Sequence, residues 1–325
     1  MKKRILMIAL AAVLGLTACS SETAGVQAGG EDDKFKIVST VFPGYDFARN
    51  IAGENADVSL LLPPGTESHS YEPSPQDIIK IQSADLFIYV GGESEDWVKR
   101  ILESSDTEVR TLRMMDTVEV YEEEIIEGMQ HDEDDHEGED ADHEVDDDHG
   151  AYDEHVWTSP VNAIKISKSI SDVLSEADPE NAEEYVKNNE AYAAKLKVLH
   201  EDFVEFFGTV DNRLLIFGDR FPLRYFVEEY GLDYYAAFPG CGSENEPSAA
   251  TIAFLIDKVK EENIKTVFHI EFSNHRISDS IAEATGSSDV LFHTCHNVSK
   301  EEMDAGEDYI SLMSQNLERL KGAMD

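Results

Sequence analysis

The hydrophobic positions of residues 178–208 repeat with the period of one long helix. Asp178 is suited to cap its start, Pro179 to the first helical position and Gly208 to its end. At 1.5 Å per residue such a helix would be about 45 Å long, which is more than one small lobe needs. Steps of three, four or seven residues place the apolar side chains on a single stripe, formed by Tyr185, Tyr192, Leu196, Leu199, Phe203 and Phe206.

Short apolar runs alternate with helical patterns on both sides of this stretch. Repeated strand–helix units are typical of α/β folds with parallel sheets. We therefore predict an α/β fold of two Rossmann-like lobes with mostly parallel sheets, joined by one long rigid helix. The predicted lobes span residues 35–177 and 209–325, and the joining helix spans 178–208. The alternative is an ordinary long helix packed inside one domain.

The charge of the chain excludes one class of partner. The formal net charge is −42, from 68 acidic and 26 basic residues. Because nucleic-acid binding needs a basic face, we expect no nucleic-acid partner. Much of the acid lies in residues 121–150, which contain no Lys or Arg. Such self-repelling sequence cannot bury a core, so we interpret it as a disordered loop within the N-terminal lobe.

This acidic loop also contains histidines. Carboxylates and imidazoles on a mobile chain bind divalent cations weakly and broadly, and imidazole favours zinc or copper over calcium. The alternative is a solvated acidic spacer. The candidate weak ligands are His131, His136, His143 and His149.

The N-terminus has the pattern of a targeting segment. Residues 1–4 are basic, and the apolar run 5–16 is too short to span a bilayer comfortably. The run ends in Leu-Thr-Ala-Cys, which resembles the bacterial lipobox, whose cysteine is lipidated and becomes the new N-terminus. We therefore expect a lipoprotein signal peptide at 1–19, a lipid on Cys19 and a flexible tether at 20–34. A plain secretion signal with an incidental cysteine is the alternative.

Two further cysteines, Cys241 and Cys295, remain. Outside the cytoplasm an isolated pair most simply forms a disulfide. That bond would close a loop of about 55 residues and stabilise the fold by roughly 3–4 kcal/mol. The competing interpretation makes Cys295 a metal ligand, because His293 and His296 flank it.

Several polar residues follow predicted strands or loops on what should be the side between the lobes. Four N and O ligands drawn from such distant points would make a closed tetrahedral cation site, as a binding protein needs. Neither GxSxG nor HExxH occurs in the chain. We expect His269 to be a core residue, and His200 and His275 to be surface residues. The candidate ligands are His69, His155, Asp219, Glu271, His293 and His296.

Five stretches of the sequence together resemble a known family. They are PPGTESHSYEPSPQD, DEHVWTSP, FGDRFPLRYFVEEYGL, EPSAATIAFLIDKVKEENI and IEFSNHRI. The chain resembles the metal-binding solute receptors of ABC transporters, and within them the zinc-uptake (ZnuA-like) branch, which carries an acidic His-rich loop before its second ligand histidine. The resemblance covers essentially the whole mature chain and implies the long inter-lobe helix.

The resemblance implies His69 as the first metal ligand and His155 as the second. The third family ligand is a His or Glu shortly before an aromatic-rich helix, and this chain has no His there. Asp219 is the nearest acid, but a strict alignment places Arg220 at that position, and Arg220 could not bind a cation.

The fourth family ligand is usually an Asp after the last strand. This chain offers His293 or His296 instead, and the alignment favours His296. Two or three imidazoles with one carboxylate suit Zn²⁺, whereas Mn²⁺ prefers a site with more oxygen ligands. The resemblance thus implies Zn²⁺ as the bound ion, with Mn²⁺ as the alternative.

The function implied is that of a lipid-anchored extracytoplasmic receptor on the bacterial cell membrane. We expect a monomer, not an enzyme, that captures Zn²⁺ between its lobes and delivers it to the permease of an ABC transporter. The rigid helix should limit closure to small movements. The alternatives are a manganese or iron receptor of the same family, a metal-stabilised surface adhesin and a zinc-dependent extracellular hydrolase.

Overall fold

Two parallel four-stranded sheets with the same strand order form the framework of the protein. The computed structural model describes residues 34–67, 69, 71–104, 108–129, 151–241 and 247–324. The predicted lipid anchor and the weak metal loop stay predictions, since their residues lie outside this part: Cys19, His131, His136, His143 and His149.

The first half of the chain forms a sheet in the order β2-β1-β3-β4. Strand β1 pairs with β2 along its whole length, from Phe35 opposite Ala56 to Ser39 opposite Leu60. Helices join the parallel strands, as expected for βαβ units, and the connection from β2 to α2 spans residues 61–74. The elements are β1 (Phe35–Ser39), α1 (Phe42–Ala52), β2 (Ala56–Leu60), α2 (Pro75–Gln82), β3 (Leu86–Tyr89), α3 (Asp96–Ser104) and β4 (Thr111–Arg113).

The second half repeats this plan in the order β6-β5-β7-β8. Every residue of β7 is buried, which is the usual state of a parallel strand covered on both faces. The predicted α/β class with parallel sheets is thus confirmed. The elements are β5 (Leu214–Phe221), α6 (Arg224–Tyr230), β6 (Asp233–Pro239), α7 (Ala249–Glu261), β7 (Thr266–Ile270), α8 (Arg276–Thr285), β8 (Ser288–Phe292), α9 (Lys300–Ala305) and α10 (Tyr309–Ala323).

Helices α4 (Pro160–Ala177) and α5 (Ala182–Phe207) connect the two sheets. The predicted start of the long helix is wrong, because Asp178 ends α4 and does not cap α5. Its carboxylate instead accepts a hydrogen bond of 2.6 Å from the Tyr185 hydroxyl on α5. The 26 residues of α5 make it about 39 Å long. Among the described helices, none is both long and apolar enough to cross a membrane.

The long helix α5 is packed along its length. It contacts α1 and α4 of the first half, and α6 and α10 of the second. One hydrophobic core includes Ile37 from the first sheet, Leu196 from α5 and Phe268 from the second sheet. The described residues from Phe35 onward accordingly form one compact unit in which two sheets share a core.

The predicted disordered loop at 121–150 begins too early. Glu122 pairs with Tyr152 in an antiparallel bridge, and the Glu123 amide donates to the carbonyl of Ala151 over 2.8 Å. Met129 is buried in the main core. Apolar and backbone contacts therefore fix residues 121–129, and the run rich in His and Asp follows them.

Candidate metal centre

Three imidazoles from three separate segments face one another. His69 lies in the β2–α2 connection, His155 directly precedes a short helical turn before α4, and His296 follows β8. The ring centroids are 5.4 Å apart for His69 and His155, 5.3 Å for His69 and His296, and 5.2 Å for His155 and His296. One ligand atom from each residue lies within 4.8 Å of the other two. They line a cavity of about 20 Å³, which suits one ion-sized guest.

Asp153 fixes the orientation of the His155 ring. Its carboxylate accepts a hydrogen bond of 2.8 Å from the His155 amide and lies 3.1 Å from the ring atom Nδ1. The other ring nitrogen, Nε2, is buried and has no hydrogen-bond partner among the described residues. A carboxylate behind an imidazole is the usual support of a metal-ligating histidine. A bound ion would satisfy the buried lone pair, which is costly to leave unpaired.

Glu271 holds the segment that carries His296. One carboxylate oxygen accepts the Thr294 amide over 2.7 Å, and the other accepts the Thr294 hydroxyl over 2.6 Å and the His296 amide over 3.2 Å. Trp157 donates from its indole nitrogen to the Thr294 carbonyl over 2.9 Å. Its ring lies 4.9 Å from that of His296. The backbone around His296 is thus set before any ion binds.

The segments that carry His69 and His296 are joined directly. The Asn297 side-chain amide donates to the carbonyls of Pro63 and Thr66, over 2.8 and 2.9 Å. The Gly65 amide donates to the Val298 carbonyl over 2.8 Å. The first and second halves of the chain therefore meet at the cavity through hydrogen bonds that need no metal.

Arg220 occupies the position that a strict alignment gives to the third ligand of the family. Its side chain lines the cavity. Its guanidinium is paired with Glu67 over 2.8 Å. Three carboxylates (Glu67, Asp153 and Glu271) and one guanidinium surround the imidazoles, which leaves a net charge of −2. This charge matches a divalent cation held by neutral imidazoles.

Burial sets the protonation of two of the imidazoles. It lowers the pKa of His69 to about 3 and holds the pKa of His296 well below its usual range, and the nearby imidazoles and Arg220 act in the same direction. Burial also acts to lower the pKa of His155, but the neighbouring carboxylates, Asp153 above all, together outweigh it and the pKa is raised. His69 and His296 are therefore neutral at pH 7, in the form that binds a metal ion.

Asp219 does not join the three imidazoles. One of its carboxylate oxygens accepts the Ile270 amide over 3.2 Å, and the other accepts the Arg220 amide over 2.9 Å. The pairing of β5 is irregular between Phe217 and Arg220, and the carboxylate satisfies backbone groups there. The prediction of Asp219 as a ligand is corrected for this reason, and burial raises the pKa of this carboxyl.

His293 also lies outside the imidazole cluster. Its Nδ1 accepts the Cys295 amide over 2.9 Å, and its Nε2 lies 3.6 Å from a Glu302 carboxylate oxygen. His293 therefore makes its contacts within the second half of the chain, a hydrogen bond at Nδ1 and a longer approach to Glu302 at Nε2. Of the two histidines after β8, the structure brings His296, and not His293, to the cavity.

The predicted disulfide is absent, because Cys241 and Cys295 are both free. They follow β6 and β8, which occupy opposite edges of the second sheet. Three strand spacings separate those edges by about 14 Å. A disulfide needs Cα atoms within about 7 Å, less than the spacing of these two strands. Burial raises the pKa of both thiols.

Sequence reasoning missed the residues that support the cluster. Asp153 was visible two positions before His155, where a backing carboxylate could have been sought. The pairing of Glu67 with Arg220 joins positions 153 residues apart, so no local signal could indicate it. The described residues bring together three ligands, and not the four that a closed site requires.

The protein has two α/β halves with parallel sheets, and a cluster of three histidines lies where the halves meet. It therefore belongs to the class of α/β proteins that have the ligand groups of a metal site in their interior. The chain belongs to the ZnuA family, described as zinc-uptake complex component A, periplasmic, whose model matches residues 37–323. Members of this family are solute-binding transport proteins.

Named relatives share the sequence and the fold. The zinc-binding lipoprotein AdcA of Streptococcus pneumoniae is 33% identical over 326 residues, which cover 100% of this chain and 62% of that protein. The high-affinity zinc uptake system protein ZnuA of Bacillus subtilis is 34% identical over 98% of this chain and 97% of its own length. The crystal structure of the Zn(II)-bound ZnuA-like domain of S. pneumoniae AdcA aligns with a TM-score of 0.73 and 31% identity, over 90% of this chain and 99% of that domain.

Proposed function

We propose that the protein is a solute-binding receptor that captures one Zn²⁺ in the cavity between His69, His155 and His296. The observation that carries this proposal is the mutual approach of the three imidazoles around the buried, unpartnered Nε2 of His155. Three nitrogen donors suit Zn²⁺ and give Mn²⁺ none of the oxygens it prefers. The zinc named in the relatives agrees with this ligand chemistry.

The supporting residues have distinct roles in this proposal. Asp153 orients His155 and raises its basicity, and Glu271 positions the backbone of His296. Arg220, neutralised by Glu67, takes the place of a fourth protein ligand, so water completes the coordination. Asp219, His293 and Glu271 bind no ion in this scheme.

An open coordination position is also a feature of catalytic zinc sites. The cavity of about 20 Å³ admits an ion and little else, so no organic substrate could reach a zinc-bound water there. A receptor therefore fits this site better than a hydrolase. The receptor is anchored through lipid on Cys19 and passes its ion to the permease of an ABC transporter.

Calorimetry of the metal-stripped protein tests the assignment. The four loop histidines are replaced by asparagine to remove weak binding, a background we call the loop-His variant. It should bind one Zn²⁺ tightly and Mn²⁺ far more weakly. The tight event should vanish in His69→Ala/His155→Ala and persist in His200→Ala, a histidine that lies instead against Tyr230. Tight binding that survives the double substitution, or a preference for Mn²⁺, would refute the proposal.

A further inference from the structure

A second group of metal-ligand side chains lies on the C-terminal half of the protein. His269, His275 and Asp289 each offer a ligand atom, and these atoms lie within 4.8 Å of one another. His269 Nδ1 is 2.8 Å from one Asp289 carboxylate oxygen, and His275 Nδ1 is 3.8 Å from the other. None of the three lines the cavity described above.

Three neighbouring elements bring this group together. His269 is on β7 and Asp289 is on β8, and these two strands pair in parallel. Asp289 lies opposite Val267, which is two residues before His269 on β7. His275 caps the N-terminus of α8 with φ 53° and ψ 4°. A left-handed conformation costs a non-glycine residue about 1–2 kcal/mol. The fold thus holds a histidine in an unfavourable backbone conformation beside two other donors.

Packing does not explain this arrangement. The rings of His269 and His275 are stacked at 4.1 Å between centroids and 23° between planes. The His275 side chain is 48% exposed, so its burial contributes little, whereas those of His269 and Asp289 are 9% and 17% exposed. Strained backbone held next to polar groups is a feature of functional sites more than of cores.

The spacing and chemistry of the donors fit a transition-metal ion. Bonds of about 2.0–2.1 Å to a tetrahedral zinc ion place its donors about 3.3 Å apart. The observed separations of 2.8 and 3.8 Å bracket that value. Two imidazoles with one carboxylate favour zinc, copper or nickel over calcium or magnesium. The exposed edge at His275 leaves room for water as a further ligand.

We propose that His269, His275 and Asp289 form a second, solvent-accessible site for a divalent transition-metal ion of the zinc, copper and nickel class. It is separate from the cavity that holds the transported ion. Binding replaces the hydrogen bond between His269 Nδ1 and Asp289, and the neutral ring that binds the ion through Nδ1 carries its one proton on Nε2. Water exchanges freely at this site, so the ion is held less tightly than in the interior cavity.

The test counts bound ions by equilibrium dialysis against excess Zn²⁺, with the full chain as the loop-His variant. This protein should bind two ions, and the additional substitution His275→Asn should reduce the number to one. Asparagine tolerates the left-handed conformation, so the backbone is kept while the imidazole is lost. Asp289→Asn should also lose one ion, and the control His200→Ala should lose none. Equal zinc content with and without His275→Asn overturns the proposal.

The same measurement separates the two sites. In His69→Ala/His155→Ala the ion that depends on His275 should remain. If the interior assignment were wrong, the double substitution would leave the number of bound ions unchanged, yet His275→Asn would still remove an ion.

With Cu²⁺ as the probe, electron paramagnetic resonance of His69→Ala/His155→Ala should show coupling to two nitrogens. The coupling to two nitrogens should be lost when His275→Asn is added. A spectrum unchanged by His275→Asn would also refute the site.

Discussion

His293 Nε2 lies 3.6 Å from a Glu302 carboxylate oxygen, and the two form an ion pair when His293 is protonated. Protonation costs the hydrogen bond that Nδ1 accepts from the Cys295 amide, and the ion pair gives stability a dependence on pH. Interaction with His293 lowers the pKa of Glu302 to about 2. Burial opposes protonation of His293, but Glu271 and Glu302 outweigh it and raise its pKa. A histidine with a raised folded-state pKa stabilises the fold below its unfolded pKa of about 6.5, and this contribution is lost as pH rises through the folded value.

Glu302→Gln should therefore destabilise the metal-free protein more at pH 5.5 than at pH 9. The expected loss at pH 5.5 is about 1 kcal/mol, discounted for the partial exposure of Glu302. Urea unfolding at the two pH values measures the difference. Glu301→Gln is the control, because Glu301 shares the first turn of α9 and is exposed. If Glu302→Gln changed the free energy of unfolding equally at the two pH values, as expected for Glu301→Gln, the ion pair between His293 and Glu302 would be contradicted.

Residue types indicated which loops carry the histidines that meet at the cavity, whereas the preference for His296 over His293 came from the resemblance to the family. His69 and His155 each stand in a distinctive local sequence, and the structure brings both to the cavity. His293 and His296 are three residues apart on one loop, and Cys295 between them has a φ of 61°. A left-handed turn redirects the chain, and nothing in the local sequence predicts it at a cysteine. The structure brings His296 to the cavity, the histidine that the alignment favoured.

At the scale of elements, β5 and α8 approach so closely that only glycine fits between them. A Cβ atom on Gly218 would lie 2.5 Å from the Ser278 Cα atom. Gly218→Ala should therefore force the helix from the sheet and destabilise the fold by about 1–3 kcal/mol. Thermal unfolding measures the loss. Gly322→Ala on α10 meets no atom within 4 Å and should be neutral or slightly stabilising. Equal midpoints for the two variants would refute the close contact.

Periodicity predicted the elements better than it predicted their ends or their neighbours. The apolar stripe from Tyr185 to Phe206 is buried as predicted, since one face of α5 packs on the core. The start of that helix could not be predicted, because Asp178 and Pro179 suit a helix end as well as a helix start. Strand order was equally inaccessible from the sequence, and it places β6 and β8, which precede Cys241 and Cys295, at opposite edges of the second sheet.

At the scale of the whole molecule, hydrogen bonds between the two halves keep the site assembled. The Tyr309 hydroxyl donates to the Trp157 carbonyl over 2.7 Å, and the Tyr225 hydroxyl donates to the Asp153 carbonyl over 2.7 Å. The Phe42 amide donates to the His296 carbonyl over 3.2 Å. A hydrophobic core runs through both sheets, and with these bonds we expect it to keep the fold intact without the ion.

Removal of metal should therefore leave a folded protein that unfolds in one cooperative step. Zinc binds only the folded state in this scheme, so it should raise stability by about 2.7 kcal/mol when free zinc is 100 times the dissociation constant. Calorimetric scans of the loop-His variant with and without Zn²⁺ measure both quantities, and His69→Ala/His155→Ala should abolish most of the zinc-dependent shift. A metal-stabilised adhesin would behave differently, since its metal-free form would lose its cooperative transition. A receptor has to release its ion and remain competent to bind the next, and the contacts between the halves supply that property.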